Sequence, residues 1–256
     1  MKSFLAFTKK ELCEHMRSGR SLVLVIVFVL FGIMNPAIAK LTPWLMETLS
    51  DSLAESGLTV SEVTVTAAAS WTQFFKNIPM GLIIFVLLEG GIFTKEYESG
   101  TLVLALTKGL PRHTVALSKS LILALLWSLC FWLCYGITYA YNAYFWDNGI
   151  MHALGFAAFS WWLFGLWTVF LTVLLSSAAK HGSAVLLGTG GFFLLAYVIS
   201  LFPKLSEYSP AHLMDAAPLT AGLSEPSEYT AAIIITALLC FASVIAGIPI
   251  FNNRQI

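Results

Sequence analysis

The stretch SLILALLWSLCFWLCYGITYAYNAYF, residues 120–145, contains no charged side chain. A run of about 20 apolar residues, at about 1.5 Å rise per residue, is long enough to cross the hydrocarbon of a bilayer as a helix. Such runs predict six membrane-spanning helices, at residues 21–39, 78–93, 120–145, 153–177, 184–202 and 230–251. Hydrophobic residues make up 58% of the chain and charged residues 11%, against about 25% charged residues in soluble domains. The sequence therefore predicts an all-α integral membrane protein.

Residues 1–20 precede the first apolar run and alternate apolar and charged positions at helical spacing. Leu12 and Met16 fall towards one side of such a helix, and Lys10 falls towards the other. A basic amphipathic helix of this kind lies in the membrane interface. The alternative is a positively charged anchor that only holds the first span in place. We predict a cytoplasmic interfacial helix over residues 1–20 and a six-helix transmembrane domain over residues 21–256.

The basic residues are distributed unevenly between the two predicted faces. With a cytoplasmic N-terminus and six crossings, the inner segments hold eleven basic and four acidic residues, whereas the outer segments hold three and nine. Excess Lys and Arg in short loops stay on the cytoplasmic side. The sequence therefore predicts a multi-pass protein of the cell membrane with both termini in the cytoplasm. Its longer outer loops are then residues 40–77 and 203–229.

Motifs of common enzymes are missing from the sequence. It contains no GxxxxGK[ST] phosphate loop, no HExxH pair and no GxSxG nucleophile elbow. The five histidines are scattered over both predicted faces and do not have the spacing of one metal site. We therefore predict a non-catalytic chain that holds no cofactor and no metal, and that does not bind nucleic acid.

Glu89 is the exception in spans that are otherwise almost free of ionisable groups. A charge in the hydrocarbon is costly and is kept mainly where function uses it, so Glu89 has two interpretations. It is either a proton or substrate site, or a carboxylate that is hydrated or hydrogen-bonded near the inner surface. The scarcity of buried charges argues against a secondary carrier driven by protons, so energy for transport would come from another chain.

Tryptophans are concentrated in the third and fourth spans, at Trp127, Trp132, Trp161 and Trp162. Such aromatic side chains could line a cavity that binds an amphiphile, and packing towards lipid is the alternative. In the fifth span Gly188 follows Ala184 by four residues. Small residues at this spacing let helices approach closely, which makes Gly188 a candidate for a packing or dimer surface.

Residues 95–119, KEYESGTLVLALTKGLPRHTVALSK, form a polar and basic segment between the second and third apolar runs. A short helix over residues 96–106 is expected, followed by a turn at Gly109 and Pro111. The elements EYESGTL, LTKGLPR and SK, in this order and position, resemble the loop after the second span of ATP-binding-cassette exporter permeases of the second type. The six-span layout and the basic N-terminal helix extend this resemblance over the whole chain.

The resemblance implies that this segment is a coupling helix, which seats on a soluble ATPase and transmits its closure to the spans. The side chains that would contact the ATPase are Glu96, Glu98, Thr101, Leu104, Lys108 and Arg112. It implies two separate ATP-binding subunits, which carry ATP and Mg²⁺, and a second permease chain, identical or related, in the lipid bilayer. The function implied is ATP-driven export of an amphiphilic substrate such as a peptide antibiotic, a drug or a lipid-like molecule.

Two other functions stay open at this stage. The chain could be a membrane protein that does not transport, either a scaffold or an immunity protein that masks a target. It could also be a secondary carrier, although the spans offer few ionisable groups for ion coupling.

Overall fold

The computed structural model describes residues 2–55, 65–107 and 109–252 of the chain. These residues form eleven α-helices: α1 (Lys2–Arg17), α2 (Arg20–Glu55), α3 (Ala67–Glu89), α4 (Thr94–Ser99), α5 (Thr101–Thr107), α6 (Arg112–Phe145), α7 (Leu154–Ala178), α8 (Gly182–Ser200), α9 (Pro203–Ser206), α10 (Ala216–Thr220) and α11 (Thr230–Asn252). Short 3₁₀ turns lie at Asn148–Ile150, Pro210–Met214 and Pro226–Tyr229. The described part of the chain contains no β-strand, which confirms the all-α prediction.

Six of the helices are long and apolar enough to cross a membrane, judged by length and composition: α2, α3, α6, α7, α8 and α11. This confirms the prediction of six spans and a multi-pass membrane protein. One end of the bundle carries α1, the 95–119 segment, the connection between α7 and α8, and the end of α11. We call this the basic end, since the excess of Lys and Arg lies there.

The helices α2 and α3 are longer than the predicted spans 21–39 and 78–93. Helix α2 continues through Pro36 and Pro43, and α3 begins at Ala67. Proline removes a backbone donor and clashes with the preceding turn, but inside a membrane bundle a helix commonly bends at proline instead of ending. Most of the predicted outer loop 40–77 is therefore helical, and residues 56–64 lie outside the described residues.

The 203–229 connection folds as short helical pieces between its prolines, as the proline spacing predicts. It packs against the end of α7, where the Trp161 indole Nε1 donates a hydrogen bond to the Met214 carbonyl oxygen over 2.9 Å. The Tyr229 hydroxyl donates to the Asp215 carbonyl oxygen over 2.7 Å. These bonds satisfy backbone groups that leave the regular helices, so the connection is held onto the bundle.

The core of the bundle is centred on Trp127 of α6, which is fully buried. The rings of Phe28 on α2 and Phe85 on α3 meet its indole edge-to-face at centroid distances of 5.9 and 5.7 Å. The indole Nε1 donates to the Trp162 carbonyl oxygen on α7 over 3.1 Å. Gly165 makes room for the ring, because a Cβ atom there would overlap the Trp127 indole. Four spans thus meet around one aromatic side chain.

Gly165→Ala is expected to destabilise the protein by about 1–3 kcal/mol, since the added methyl group overlaps the Trp127 indole and forces the packed core to shift. The thermal unfolding midpoint of the purified protein in detergent measures this. Gly136→Ala on α6 is the matched control, because a Cβ there meets no atom within 4 Å. Equal midpoints for the two variants would contradict the close approach of α6 and α7.

Candidate functional site

The 95–119 segment lies at the basic end as two short helices, α4 and α5, followed by the first turns of α6. Gly100 separates α4 from α5 with φ of 68°, a left-handed conformation that glycine adopts without steric penalty. The prediction of one helix over residues 96–106 is therefore wrong at this position. Leu104 lies within α5, and Lys108 lies outside the described residues.

Lys119 joins three parts of the basic end through a buried pair of salt bridges. Its ammonium Nζ lies 2.8 Å from Glu11 Oε2 on α1 and 2.9 Å from Glu96 Oε1 on α4. The Lys119 residue is only 1% exposed. A buried charge of this kind depends on its partners, because removing one of them leaves an unpaired ion away from water. Lys119 Nζ therefore holds together the N-terminal helix, the 95–119 segment and the third span.

Lys10 extends the salt bridges towards solvent. Its Nζ lies 2.9 Å from Glu11 Oε1 and 2.6 Å from Glu14 Oε2. We call Lys10, Glu11, Glu14, Glu96 and Lys119 the ion cluster. The three carboxylates approach within 4.8 Å of one another, a spacing that could hold a cation, but the two ammonium groups already contact them. The two lysines therefore offset most, but not all, of the negative charge of the three carboxylates.

The pKa values on α1 reflect this arrangement. Burial acts to raise the pKa of the Glu11 carboxyl, but the charge and hydrogen bond of Lys119, together with Lys10, bring it below its usual value. Burial acts to lower the pKa of Lys10, but hydrogen bonds to Glu14 and Glu11 raise it. Burial and the charge of Lys119 lower the pKa of His15. The cluster therefore favours ionised Glu11 beside a neutral His15 imidazole.

Glu89 lies at the end of α3 next to His15 and is completely buried. Its Oε2 lies 3.6 Å from His15 Nδ1, and neither Glu89 oxygen accepts a hydrogen bond within the part of the chain that the structure describes. Of the two interpretations made from sequence, the hydrogen-bonded carboxylate finds no donor among these residues. The intramembrane role of Glu89 stays a prediction.

A polar cavity of about 290 Å³ lies beside the ion cluster. Besides residues of the cluster, it is lined by Ser18 and Arg20 where α1 joins α2, and by Lys95, Ser99 and Thr101 of the 95–119 segment. Gly19 makes the turn between α1 and α2 with φ of 73°, which folds α1 back over this cavity. Water can therefore reach the inner side of the segment.

The segment is also attached to the ends of α7 and α11. The Tyr97 hydroxyl donates to the Ser177 carbonyl oxygen at the end of α7 over 3.1 Å. Arg112 Nη1 donates to the carbonyl oxygens of Phe251 and Asn252 over 3.0 and 2.9 Å. The last carbonyls of a helix have no partner within the helix, and a cation there is favoured by the helix dipole. Arg112 therefore caps the sixth span.

The outward side of the segment carries Glu98, which is exposed, whereas Ser99 and Thr101 are exposed but also line the polar cavity. Glu98 Oε1 lies 3.9 Å from His181 Nδ1 on the connection between α7 and α8, and both side chains are largely exposed. Of the residues singled out for an ATPase contact, Glu98 and Thr101 are therefore exposed, Thr101 beside the polar cavity. Glu96 and Arg112 instead bond within the chain.

The remaining sequence candidates lie in the spans. Trp127 and Trp161 are buried, whereas Trp132 is partly exposed and Trp162 donates through Nε1 to Ser128 Oγ over 3.0 Å. Gly188 packs against Leu175 of α7, since a Cβ there would lie 3.1 Å from Leu175 Cδ1. A substrate cavity formed by the tryptophans and a dimer surface at Gly188 both stay predictions.

Sequence reasoning missed two groups of polar residues. One is the α1 contribution to the ion cluster, signalled only by a glutamate, Glu11, within a basic helix. The other lies inside the bundle, where Asn77 Nδ2 donates to Asn35 Oδ1 over 2.7 Å and Asn35 Nδ2 donates to Thr138 Oγ1 over 3.0 Å. The signal for this group was Asn35 within the first apolar run, since an amide there must find a partner away from water.

The fold and the basic end define a six-span membrane protein with an ion-paired helical segment between its second and third spans. The family model described as ABC-2 family transporter protein matches residues 5–255, so the chain belongs to the ABC-2 transporter family. Members are generally non-catalytic membrane components, and membership implies association with an ATP-binding subunit and with the membrane. A relative in Bacillus subtilis (strain 168), the uncharacterized transmembrane protein YxlG, is 25% identical over 247 residues, covering 94% of this chain and 93% of the relative.

Lys119→Ala is expected to lower the free energy of unfolding by about 3–5 kcal/mol, because Glu11 and Glu96 lose their buried cation and keep only the more exposed Lys10 nearby. The measurement is the loss of the thermal unfolding midpoint in detergent. A triple variant, Lys119→Met with Glu11→Gln and Glu96→Gln, removes all three charges and should recover most of the loss. No difference between the single and triple variants would contradict the buried ion pairs.

Stability should also fall as the pH is lowered, in two windows. The pKa values of His15 and Glu11 are both depressed in the folded state, so the unfolded chain binds more protons below about 6.5 and below about 4.5 respectively. The contributions of His15 and Glu11 to the free energy of unfolding are therefore present above these pH values. They are lost as the pH falls below about 6.5 for His15 and below about 4.5 for Glu11. Thermal midpoints recorded from pH 7.5 to about pH 3.5 test this.

The matched variants assign each window to one residue. His15→Gln should flatten the decline below about 6.5, and Glu11→Gln should flatten the decline below about 4.5. A pH profile that neither variant changes would contradict the assignment.

Proposed function

We propose that the chain is the membrane subunit of an ATP-driven exporter, and that the 95–119 segment is the element through which a separate ATPase moves the spans. The observation that supports this most directly is the set of internal attachments of the segment. Glu96 on α4 contacts Lys119 on α6, and Lys119 also contacts Glu11 on α1. Tyr97 bonds to the end of α7, and Arg112 bonds to the end of α11. A displacement of the segment is therefore passed to four helices at once.

The two sides of the segment would have different tasks. Glu98 and Thr101, which are exposed, contact the ATPase together with Leu104 and Lys108. Glu96 and Arg112, which bond inside the chain, pass the motion onward. Charged side chains at an exposed rim chiefly steer association and fix register, whereas buried pairs hold parts together. This division refines the coupling role that the family resemblance implies.

The assembly that we propose has two ATP-binding subunits, which carry ATP and Mg²⁺, and two membrane chains, identical or related. The basic end then faces the cytoplasm, consistent with the excess of Lys and Arg there, and both termini lie on that side. Closure of the ATPase pair would drive a rigid-body change of the spans and move an amphiphilic substrate outwards. The protein would reside in the cell membrane.

Glu98→Arg is expected to reduce transport-coupled ATPase activity, because it reverses the charge of an exposed side chain that we propose contacts the ATPase. The fold should stay intact, since Glu98 is largely exposed and its only described ion contact is His181 at 3.9 Å. The measurement is ATP hydrolysis by the co-expressed ATPase in proteoliposomes, with and without the membrane subunit.

Glu207→Arg is the matched control, an exposed glutamate at the opposite end of the bundle. It should leave ATP hydrolysis unchanged. Equal activity of both variants and the unmodified chain would contradict the docking role of the segment. Transport that needs no ATP and stops when the proton gradient is dissipated would contradict the exporter altogether and favour a secondary carrier.

A further inference from the structure

An apolar groove of about 430 Å³ runs beneath α1, between α2 and α6. Leu12 and Met16 of α1 form its roof, and Leu22 of α2 and Leu125 and Leu129 of α6 form its walls. This volume falls in the range of about 300–1,000 Å³ that is typical of ligand pockets. The groove lies on the other side of His15 from the polar cavity, since His15 lines both.

The groove walls lie in helices that are long and apolar enough to cross a membrane, so we expect the groove to lie in the outer part of the hydrocarbon. Its α2 and α6 walls belong to the candidate spans Arg20–Thr48 and Arg112–Phe145, close to the end that carries α1. Its leucines are largely uncovered by the chain, with Leu22 62% exposed and Leu125 59% exposed. Apolar side chains of a membrane span that the protein does not cover face lipid, so we expect the groove to be open to lipid tails.

The position of the basic residues on α1 points to the charge of the lipid. Lys9 is exposed, and it lies three and seven residues before Leu12 and Met16, so it flanks the groove roof on the helix surface. The acidic residues of α1, Glu11 and Glu14, lie on its other side and contact Lys10 and Lys119. A basic residue beside an apolar stripe at the interface attracts anionic headgroups.

We propose that this groove is a binding site for one anionic phospholipid of the leaflet at the basic end. An acyl chain lies in the groove beneath Leu12 and Met16, and Lys9 contacts the headgroup phosphate. Because α1 roofs the groove and also holds Lys119 through Glu11, lipid in the groove supports the same helix that ties the 95–119 segment to the third span. The proposal does not depend on export or on an ATPase.

The test uses the full chain in lipid nanodiscs that contain a phosphatidylglycerol with a photoactivatable diazirine in its acyl chain. After illumination, peptide mass spectrometry locates the attached lipid. We expect labelling to be concentrated on the peptides that carry Leu12 and Leu125. Labelling spread evenly over all six spans would overturn the proposal, since it would reflect bulk lipid.

Leu125→Trp fills the groove and should reduce this labelling by about tenfold. This is the loss of affinity expected when about two methylene groups of the lipid acyl chain are excluded from the groove. Leu238→Trp on α11 is the control, because Leu238 is 62% exposed and lies outside the groove. It should leave groove labelling unchanged. An equal reduction by both variants would overturn the site.

The preference for negative charge is tested by competition with unlabelled lipid. Phosphatidylglycerol should compete better than phosphatidylcholine, and Lys9→Glu should remove the difference. Lys180→Glu, an exposed lysine on the connection between α7 and α8 at the same end, should retain it. Equal competition by the two lipids for the unmodified chain would overturn the anionic headgroup. Crosslinking of the groove to a second copy of the chain would show that protein, not lipid, occupies it.

Discussion

The contact between Lys119 and the two carboxylates of Glu11 and Glu96 is the constraint on which the basic end depends. A lysine at the membrane boundary can usually extend its ammonium group to water, but this one is covered by α1 and by the 95–119 segment. Its charge is therefore stable only while both elements stay in place. The reverse also holds in part, since Lys119 is the buried cation of both carboxylates, although Glu11 also contacts the more exposed Lys10. Packing and electrostatics at this end are one cooperative unit.

Because of this dependence, the 95–119 segment is held firmly on its inner side while its outer side is exposed to solvent. Its inner side is fixed by a buried ion, a tyrosine hydroxyl and a helix cap, which are strong and directional contacts. Its outer side offers side chains to solvent and has few partners of its own. An element with this construction moves as a body with the helix ends that it touches, because interfaces of packed helices switch between discrete arrangements and do not deform continuously.

The sequence predicts the number of spans and the location of the segment because both are local properties. Apolar length reports a span, and clustered charge reports a region outside the hydrocarbon. The contact of Lys119 with Glu11 is not local, since it joins residues that are 108 positions apart and depends on the turn at Gly19. The same holds for Trp127, whose burial depends on the absence of a side chain at Gly165 on another helix. The extension of α2 through Pro36 and Pro43 was missed because proline ends helices more often in water than in a bundle.

The length of α2 has a consequence for the outline of the molecule. Its 36 residues span about 54 Å at 1.5 Å per residue, whereas the hydrocarbon is about 30 Å thick. We therefore expect the last turns of the helix to extend beyond the hydrocarbon, even where the helix tilts or bends at its prolines. The expected outline is a helical stalk on the face opposite the basic end. A protease added to sealed vesicles would reach that stalk from one side only, and cutting there would report which face of the membrane it occupies.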